Sequence, residues 1–485
     1  MEGLTALVAL MGFLLAFTLK PHKALVVYCA VLFAYPGAMT ISMGDVSWNA
    51  PRIVAIGLFA NAAFKSGGWK RLRWSWLDTF IMLSYLMASG AAMANAPVKT
   101  VLIRQVGGGL FDAILPYLSA RMALDRRENV FTFSKGLVYI GLPLAVMGVI
   151  ESITGHSIYD YLTRYYGFGL GSEEDIVKQM RQGFYRASGA FGVSILMGLF
   201  FAALATSTLG LWNSRTNWSN VKVGLFFCIL VSGVLSSMSS APLFALFVGL
   251  CMVMVFRLRQ YWPALAVAVF ACILFVEIYS NRHFYYVLTY LSFDTKTAWY
   301  RIALINETFG GGMTGHWLLG YGYVGIGPGN DNTNFFWEHQ DLTNIYIATL
   351  VRFGLVGLLP GLIVNVLYYY RLYKAAHSTN DPNDLWYIWC ISSALVGWNV
   401  AMMTVAAFRQ IDTYQHLLIA LSQNLPLIVS QNAPGMAHAP APATAFNRRP
   451  WRYSHARHFS GNRQLERPEL PAQMPELPPD SYSGA

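Results

Sequence analysis

Charge is scarce in this chain. Only 12% of its 485 residues are Asp, Glu, Lys or Arg, against roughly 25% in a soluble domain. That excludes an ordinary soluble enzyme and a disordered chain. The signatures of nucleotide and metal chemistry are missing as well. No Walker loop, no Gly-x-Gly-x-x-Gly after a strand, no His-Glu-x-x-His and no cysteine cluster occurs, which speaks against nucleotide hydrolysis and metal catalysis by a local motif and leaves no cofactor or metal to assign. The five cysteines (Cys29, Cys228, Cys251, Cys272 and Cys390) sit singly in apolar runs, without metal or pairing spacing, and read as small buried hydrophobes. No internal period marks a solenoid or propeller. No nucleic-acid-binding signature occurs, so the net charge of +10 reads as basic loops beside a membrane.

What is present is hydrophobic. Apolar residues make up 55% of the chain, and they fall in blocks of about 15–25, the length that crosses a bilayer core of roughly 30 Å. The blocks run at about 3–19, 24–42, 52–65, 77–95, 105–120, 131–152, 189–212, 222–237, 242–256, 262–280, 343–372, 384–407 and 413–432. The expectation is an all-α polytopic membrane protein with about 12–14 transmembrane helices. Residues 3–19 lack a basic leader and are followed directly by a second block, so they read as a first helix and not as a cleaved signal.

Basic residues set the expected orientation. Fifteen Lys and Arg, Arg121 at the end of the 105–120 block among them, fall in one set of short loops, while the opposite set holds only Arg52, Lys99, Arg104 and Arg409. The richer set belongs in the cytoplasm, which puts the N-terminus outside and the C-terminal tail inside. Two long loops, about 153–188 and 281–342, then emerge on the outer face. Long loops carried by a rigid scaffold are where function concentrates. Residues 1–432 read as one transmembrane domain. The stretch 433–485 has nine prolines, six arginines and few aliphatics, and reads as a disordered tail at the lipid surface.

The second loop carries the most unusual sequence. It contains Thr297-Ala-Trp-Tyr-Arg301, Leu319-Gly320-Tyr321-Gly322, and Glu338-His339-Gln340-Asp341-Leu342-Thr343-Asn344-Ile345-Tyr346, followed by a helix with Gly354 and Gly357. Asp341 and Thr343 are good N-cap residues for that helix. The first loop ends Tyr185-Arg186-Ala-Ser-Gly-Ala-Phe191, which puts Arg186 at the mouth of the next helix. Arg352 lies nine residues past Thr343, at a depth where a charge needs a partner or a wet cavity; Glu151, Glu277 and Asp112 are candidate partners.

In this order, the motifs resemble the superfamily of O-antigen ligases and Wzy-type polysaccharide polymerases. Arg301, Gly320-Tyr321-Gly322, Thr343-Asn344-Ile345-Tyr346, Gly354 and Gly357 fill its pattern. The Tyr185–Phe191 stretch and the Ser-rich break Leu235–Pro242 are similar to two further family elements. The resemblance implies a GT-C-like fold in a bacterial inner membrane with its active face in the periplasm. It implies a metal-independent, inverting glycosyltransferase. The donor is an undecaprenyl-pyrophosphate-linked saccharide, the acceptor a growing glycan (polymerase) or lipid A core (ligase). A chain-length regulator and a flippase of the same pathway are the expected protein partners. Arginines would bind the pyrophosphate, with Arg186 and Arg301 first; a fixed guanidinium suits that role. Gly320, Tyr321, Gly322, Glu338, Thr343, Asn344, Tyr346 and Arg352 are the further substrate-site candidates.

Two departures from the family pattern stand out. Thr343 occupies the histidine slot and cannot serve as a base, so His339, one turn earlier if the helix reaches that far, or Asp341 or Glu338 would act. The Ser-rich break lacks the arginine common in ligases, which favours the polymerase. A transporter or lipid flippase, and a non-catalytic assembly partner, are the readings from other classes.

Overall fold

Unbroken runs of Leu, Val, Ala and Phe leave a backbone in lipid only itself to pair with, and helix is the outcome. The computed structural model describes residues 2–43, 46–95, 101–160, 180–212, 218–281, 283–287, 289, 295–322, 342–406 and 410–431. It is mostly helical with little sheet. We number the principal helices α1 (Glu2–Thr18), α2 (Pro21–Ala34), α3 (Ala50–Ala60), α4 (Trp76–Asn95), α5 (Leu115–Ala123), α6 (Arg127–Thr154) and α7 (Ser194–Thr208). They continue with α8 (Asn220–Ser236), α9 (Ser240–Met254), α10 (Trp262–Tyr279), α11 (Thr295–Glu307), α12 (Ile345–His377), α13 (Pro382–Met402) and α14 (Gln410–Gln431).

Among the described residues, six helical segments are long and apolar enough to cross a membrane: Trp76–Asn95, Arg127–Thr154, Ser194–Leu211, Ser240–Tyr261, Ile345–His377 and Pro382–Met402. Glu2–Thr18, Pro21–Ala34, Asn220–Ser236 and Val267–Tyr279 are shorter apolar helices. Large apolar side chains on α10, among them Val267, Phe270, Phe275 and Ile278, are exposed; such a surface belongs against lipid or protein and not in water.

Several blocks differ from their expected limits. The 24–42 block is helical only to Ala34, because Pro36 and Gly37 interrupt it, and Thr40–Met43 (β1) then pairs with Val46–Asn49 (β2) in a hairpin. The 105–120 block opens with two π-helical turns, Leu102–Gly107 and Leu110–Ile114, before α5. The start of α12 falls at Ile345, capped by Asn344 and not by Thr343: the Asn344 Oδ1 accepts from the amides of Tyr346 at 2.9 Å and Ile347 at 3.2 Å. The chain divides into two units, Met1–Ala437 and His438–Ala485; the second, and with it nearly all of the expected tail, lies outside the described residues.

Aromatic rings knit the centre of the first unit. Phe33 of α2 lies 4.4 Å from Phe200 of α7 and meets Tyr414 of α14 edge-on at 5.4 Å, and Trp398 of α13 packs on Tyr414 at 5.7 Å. One buried ion pair sits beside this core. Arg121, counted in the sequence among loop cations, is instead the seventh residue of α5 and is 1% exposed; its Nε donates to the Asp78 Oδ1 at 2.9 Å. Tyr117 donates to the same oxygen at 2.6 Å, Asn424 accepts from the Arg121 guanidinium, and the Asn424 amide donates to the Arg121 carbonyl at 2.9 Å. A buried charge persists only when its partners satisfy it in this way.

Candidate functional site

A cavity of about 460 Å³ opens among α3, α4, α12, α14 and the π-helical turns, within the roughly 300–1,000 Å³ range of small-molecule sites. Arg52, Tyr346 and Asp412, all within the first turns of α3, α12 and α14, line it, so these helices enter it from their N-terminal ends. Ile81 and Ile419 mark its inner side, one to two turns from the Asp78–Arg121–Asn424 network.

Local structure fixes the charged residues there. The β1–β2 hairpin ends at Asn49, whose side chain accepts from the Arg52 amide at 3.0 Å and so starts α3. The Arg52 guanidinium donates to the Ser47 carbonyl at 3.1 Å and grips Asp112 with two bonds, Nε to Oδ1 at 2.8 Å and Nη2 to Oδ2 at 2.6 Å. Asp112 stands in the second π-helical turn, and its backbone carbonyl accepts from the Thr413 hydroxyl at 2.6 Å. A π-helical turn widens the backbone and often marks a functional site. Also lining the cavity, His416 faces Tyr85, with Nε2 3.2 Å from the tyrosine oxygen.

The glycine motifs have a structural task. Within α12, Gly354 adopts φ +62° and ψ −165°, which breaks the helix. The segment Trp317–Gly322 lies along the break. The amides of Tyr321 and Gly322 donate to the carbonyls of Val351 (2.7 Å) and Arg352 (2.9 Å). The amides of Leu355 and Val356 donate to Trp317 (2.8 Å) and Leu318 (3.2 Å). The loop thereby supplies partners for the Val351 and Arg352 carbonyls and for the Leu355 and Val356 amides, as an interrupted helix in an apolar setting requires. The Asn95 side chain fastens the same segment by donating to the Gly320 carbonyl at 2.9 Å.

The remaining expected residues fall in three places. Tyr346 and Arg352 line the cavity. Arg186 lies elsewhere, donating to the Ser239 hydroxyl at 3.0 Å in the Ser-rich break between α8 and α9, while the next amide, of Ala187, donates to the Ser236 carbonyl at 3.0 Å. Two sequence elements of the resemblance therefore touch. Burial, then the charge of Arg181, lowers the Arg186 guanidinium to about 10, so it stays charged at neutral pH. Its stretch follows a tight hairpin, Met180–Arg181 paired with Phe184–Tyr185 through Gln182 and Gly183, both at positive φ. Arg301 is buried on α11, on the face with Ala298, Ile302 and Leu304; Leu304 packs with Ile347 and Val351 of α12. Neither Arg186 nor Arg301 lines the cavity. His339, Asp341 and Glu338 lie outside the described residues. Because α12 starts at Ile345, Thr343 precedes the helix.

Two of the candidate partners of Arg352 are engaged elsewhere. Glu151 accepts from the amides of Ser188 and Gly189, both at 3.0 Å. Glu277 meets His283 at 2.6 Å. Asp112 faces the cavity with Arg352 but is gripped by Arg52.

Sequence reasoning missed Arg52, Tyr85, Asp412 and His416 as site residues. Their signal was polar side chains inside or at the edge of apolar blocks, which are expensive in lipid unless they face a cavity or each other. Comparison of the chain with protein-family models and with curated proteins found no match.

Proposed function

We propose that the chain is a multi-pass membrane glycosyltransferase that polymerises saccharide units carried on undecaprenyl pyrophosphate at the outer face of a bacterial inner membrane. The observation that carries this reading is the position of the motif residue Tyr346 and of the substrate-site candidate Arg352. Both line the large polar cavity, together with Arg52, Asp112 and His416. Arg352 is exposed there, and an arginine fork can hold a phosphate oxygen pair and stabilise charge on a departing diphosphate. Contact between the Arg186 stretch and the Ser-rich break supports the resemblance further. The ligase, which would pass finished glycan to lipid A core or another acceptor, is the closest alternative.

One observation favours a transporter or flippase as a second reading. Transporters pair a broken helix with charges deep in the bundle, and this chain has the Gly354 break beside Arg352, Arg52 and Asp112.

A deletion strain separates the three. Loss of a polymerase leaves single repeat units on the finished glycan. Loss of a ligase leaves long chains on the lipid carrier. Loss of a flippase strands lipid-linked units on the cytoplasmic leaflet. Glycan of normal length and amount in the deletion strain overturns both transferase readings.

A further inference from the structure

We propose that Tyr85 and His416 form a proton relay that activates the acceptor hydroxyl in the cavity, with Asp412 balancing the charge on the imidazolium. This rests on the glycosyl-transfer reading, and it takes the base's role that the sequence left among His339, Asp341 and Glu338.

The tautomer follows from geometry. His416 Nδ1 lies 2.8 Å from the backbone carbonyl of Asp412. A carbonyl only accepts, so Nδ1 carries the hydrogen and the neutral ring keeps a lone pair on Nε2. That lone pair is 3.2 Å from the Tyr85 oxygen, so the tyrosine O–H donates to it. Two hydrogen-bond states result. With neutral His416, Tyr85 donates to Nε2. With protonated His416, Nε2–H donates to the tyrosine oxygen. The Asp412 Oδ1 stands 3.7 Å from Nδ1, which places a carboxylate beside the imidazolium. Among the described residues, the other charged or titratable groups around this cavity are Arg52 of α3, Asp112 of the π-helical turn, and Tyr346 and Arg352 of α12.

The step balances as follows. The acceptor O–H passes its proton to the Tyr85 oxygen while Tyr85 passes its own to Nε2. The freed electron pair of the acceptor oxygen bonds to the anomeric carbon. The carbon–oxygen bond to the diphosphate breaks, and its electron pair leaves with the diphosphate. The imidazolium then releases its proton to solvent. Tyr85, which lines the cavity, touches the acceptor; His416 acts through it.

The test uses the full-length protein in lipid nanodiscs with a lipid-diphosphate-linked oligosaccharide, following product length and rate against pH. Tyr85→Phe and His416→Asn are expected to lower kcat about 100-fold or more with donor KM unchanged. His416→Asn retains a donor for the Asp412 carbonyl but has no Nε2. Both variants should also lose the acid-side fall in rate that the relay predicts for the wild type, and added imidazole should restore turnover to His416→Gly. Full activity in Tyr85→Phe, or an unaltered acid limb in both variants, overturns the relay while glycosyl transfer stands. Absence of transfer by the wild type overturns the glycosyl-transfer reading and the relay with it.

Discussion

A methyl group on Gly320 would stand 2.6 Å from the Val351 carbonyl oxygen, because the loop is pressed against the opened turn of α12. Both Gly320 (φ +68°) and Gly354 (φ +62°) also adopt backbone angles that side chains resist. Alanine at either position is expected to destabilise the protein by at least about 2 kcal/mol, from left-handed strain plus overlap. Gly361→Ala, where nothing lies within 4 Å, is the control and should be neutral. Thermal unfolding in detergent measures all three.

Asp78 and Arg121 depend on each other. Removing either one leaves the other charged and buried at 1% exposure or less, at a cost of about 3–5 kcal/mol. Asp78→Ala and Arg121→Ala should therefore reduce the amount of folded protein in the membrane, read by immunoblot of solubilised material. Wild-type levels in both variants would show that the pair is dispensable.

Arg52 and Asp112 are partly exposed, with 25% and 32% of their side-chain surfaces accessible. Solvent screening makes their coupling smaller, about 1 kcal/mol. A double-mutant cycle of Arg52→Ala and Asp112→Ala should return a coupling of that size in unfolding free energy; additivity would mean that the two act independently.

Arg352→Ala and Arg186→Ala separate two possible seats for the diphosphate. If the cavity holds it, Arg352→Ala removes polymer from the glycan while protein abundance is unchanged, and Arg186→Ala leaves a shortened but visible ladder. Polymer lost only in Arg186→Ala would move the seat to the Ser-rich break.

Gly109 is packed under the Tyr85 ring, and a methyl there would lie 2.6 Å from the Tyr85 Cδ1. Gly109→Ala should displace Tyr85 and lower turnover about tenfold or more, consistent with the sensitivity of catalysis to small misplacements. Its melting temperature should stay close to that of the wild type, since the ring has the cavity to move into.

Helix positions were legible in the sequence because long apolar blocks have one physical outcome in lipid. Each of the expected blocks contains helix, but the cap of α12 is Asn344, one residue after Thr343 and three after Asp341, the two candidates named from the sequence. The glycine pattern around 320 and 354 was visible as a pattern, but its meaning was not: local spacing cannot show that two segments trade backbone hydrogen bonds. The cavity was illegible for the same reason. Arg52 and Asp112 are 60 positions apart, and Tyr85 and His416 are 331 apart, so only the packing of α3, α4 and α14 brings them together. Arg121 was misread because a basic residue at the end of an apolar block looks like a loop residue until its buried aspartate is known.

The Asp78–Arg121–Asn424 knot has a practical consequence for genetics. An unbiased screen for inactive alleles will recover those three positions as readily as genuine chemistry positions, since each one lost empties the membrane of protein. Ranking alleles by product per surviving molecule, and not by product alone, will sort scaffold from machinery.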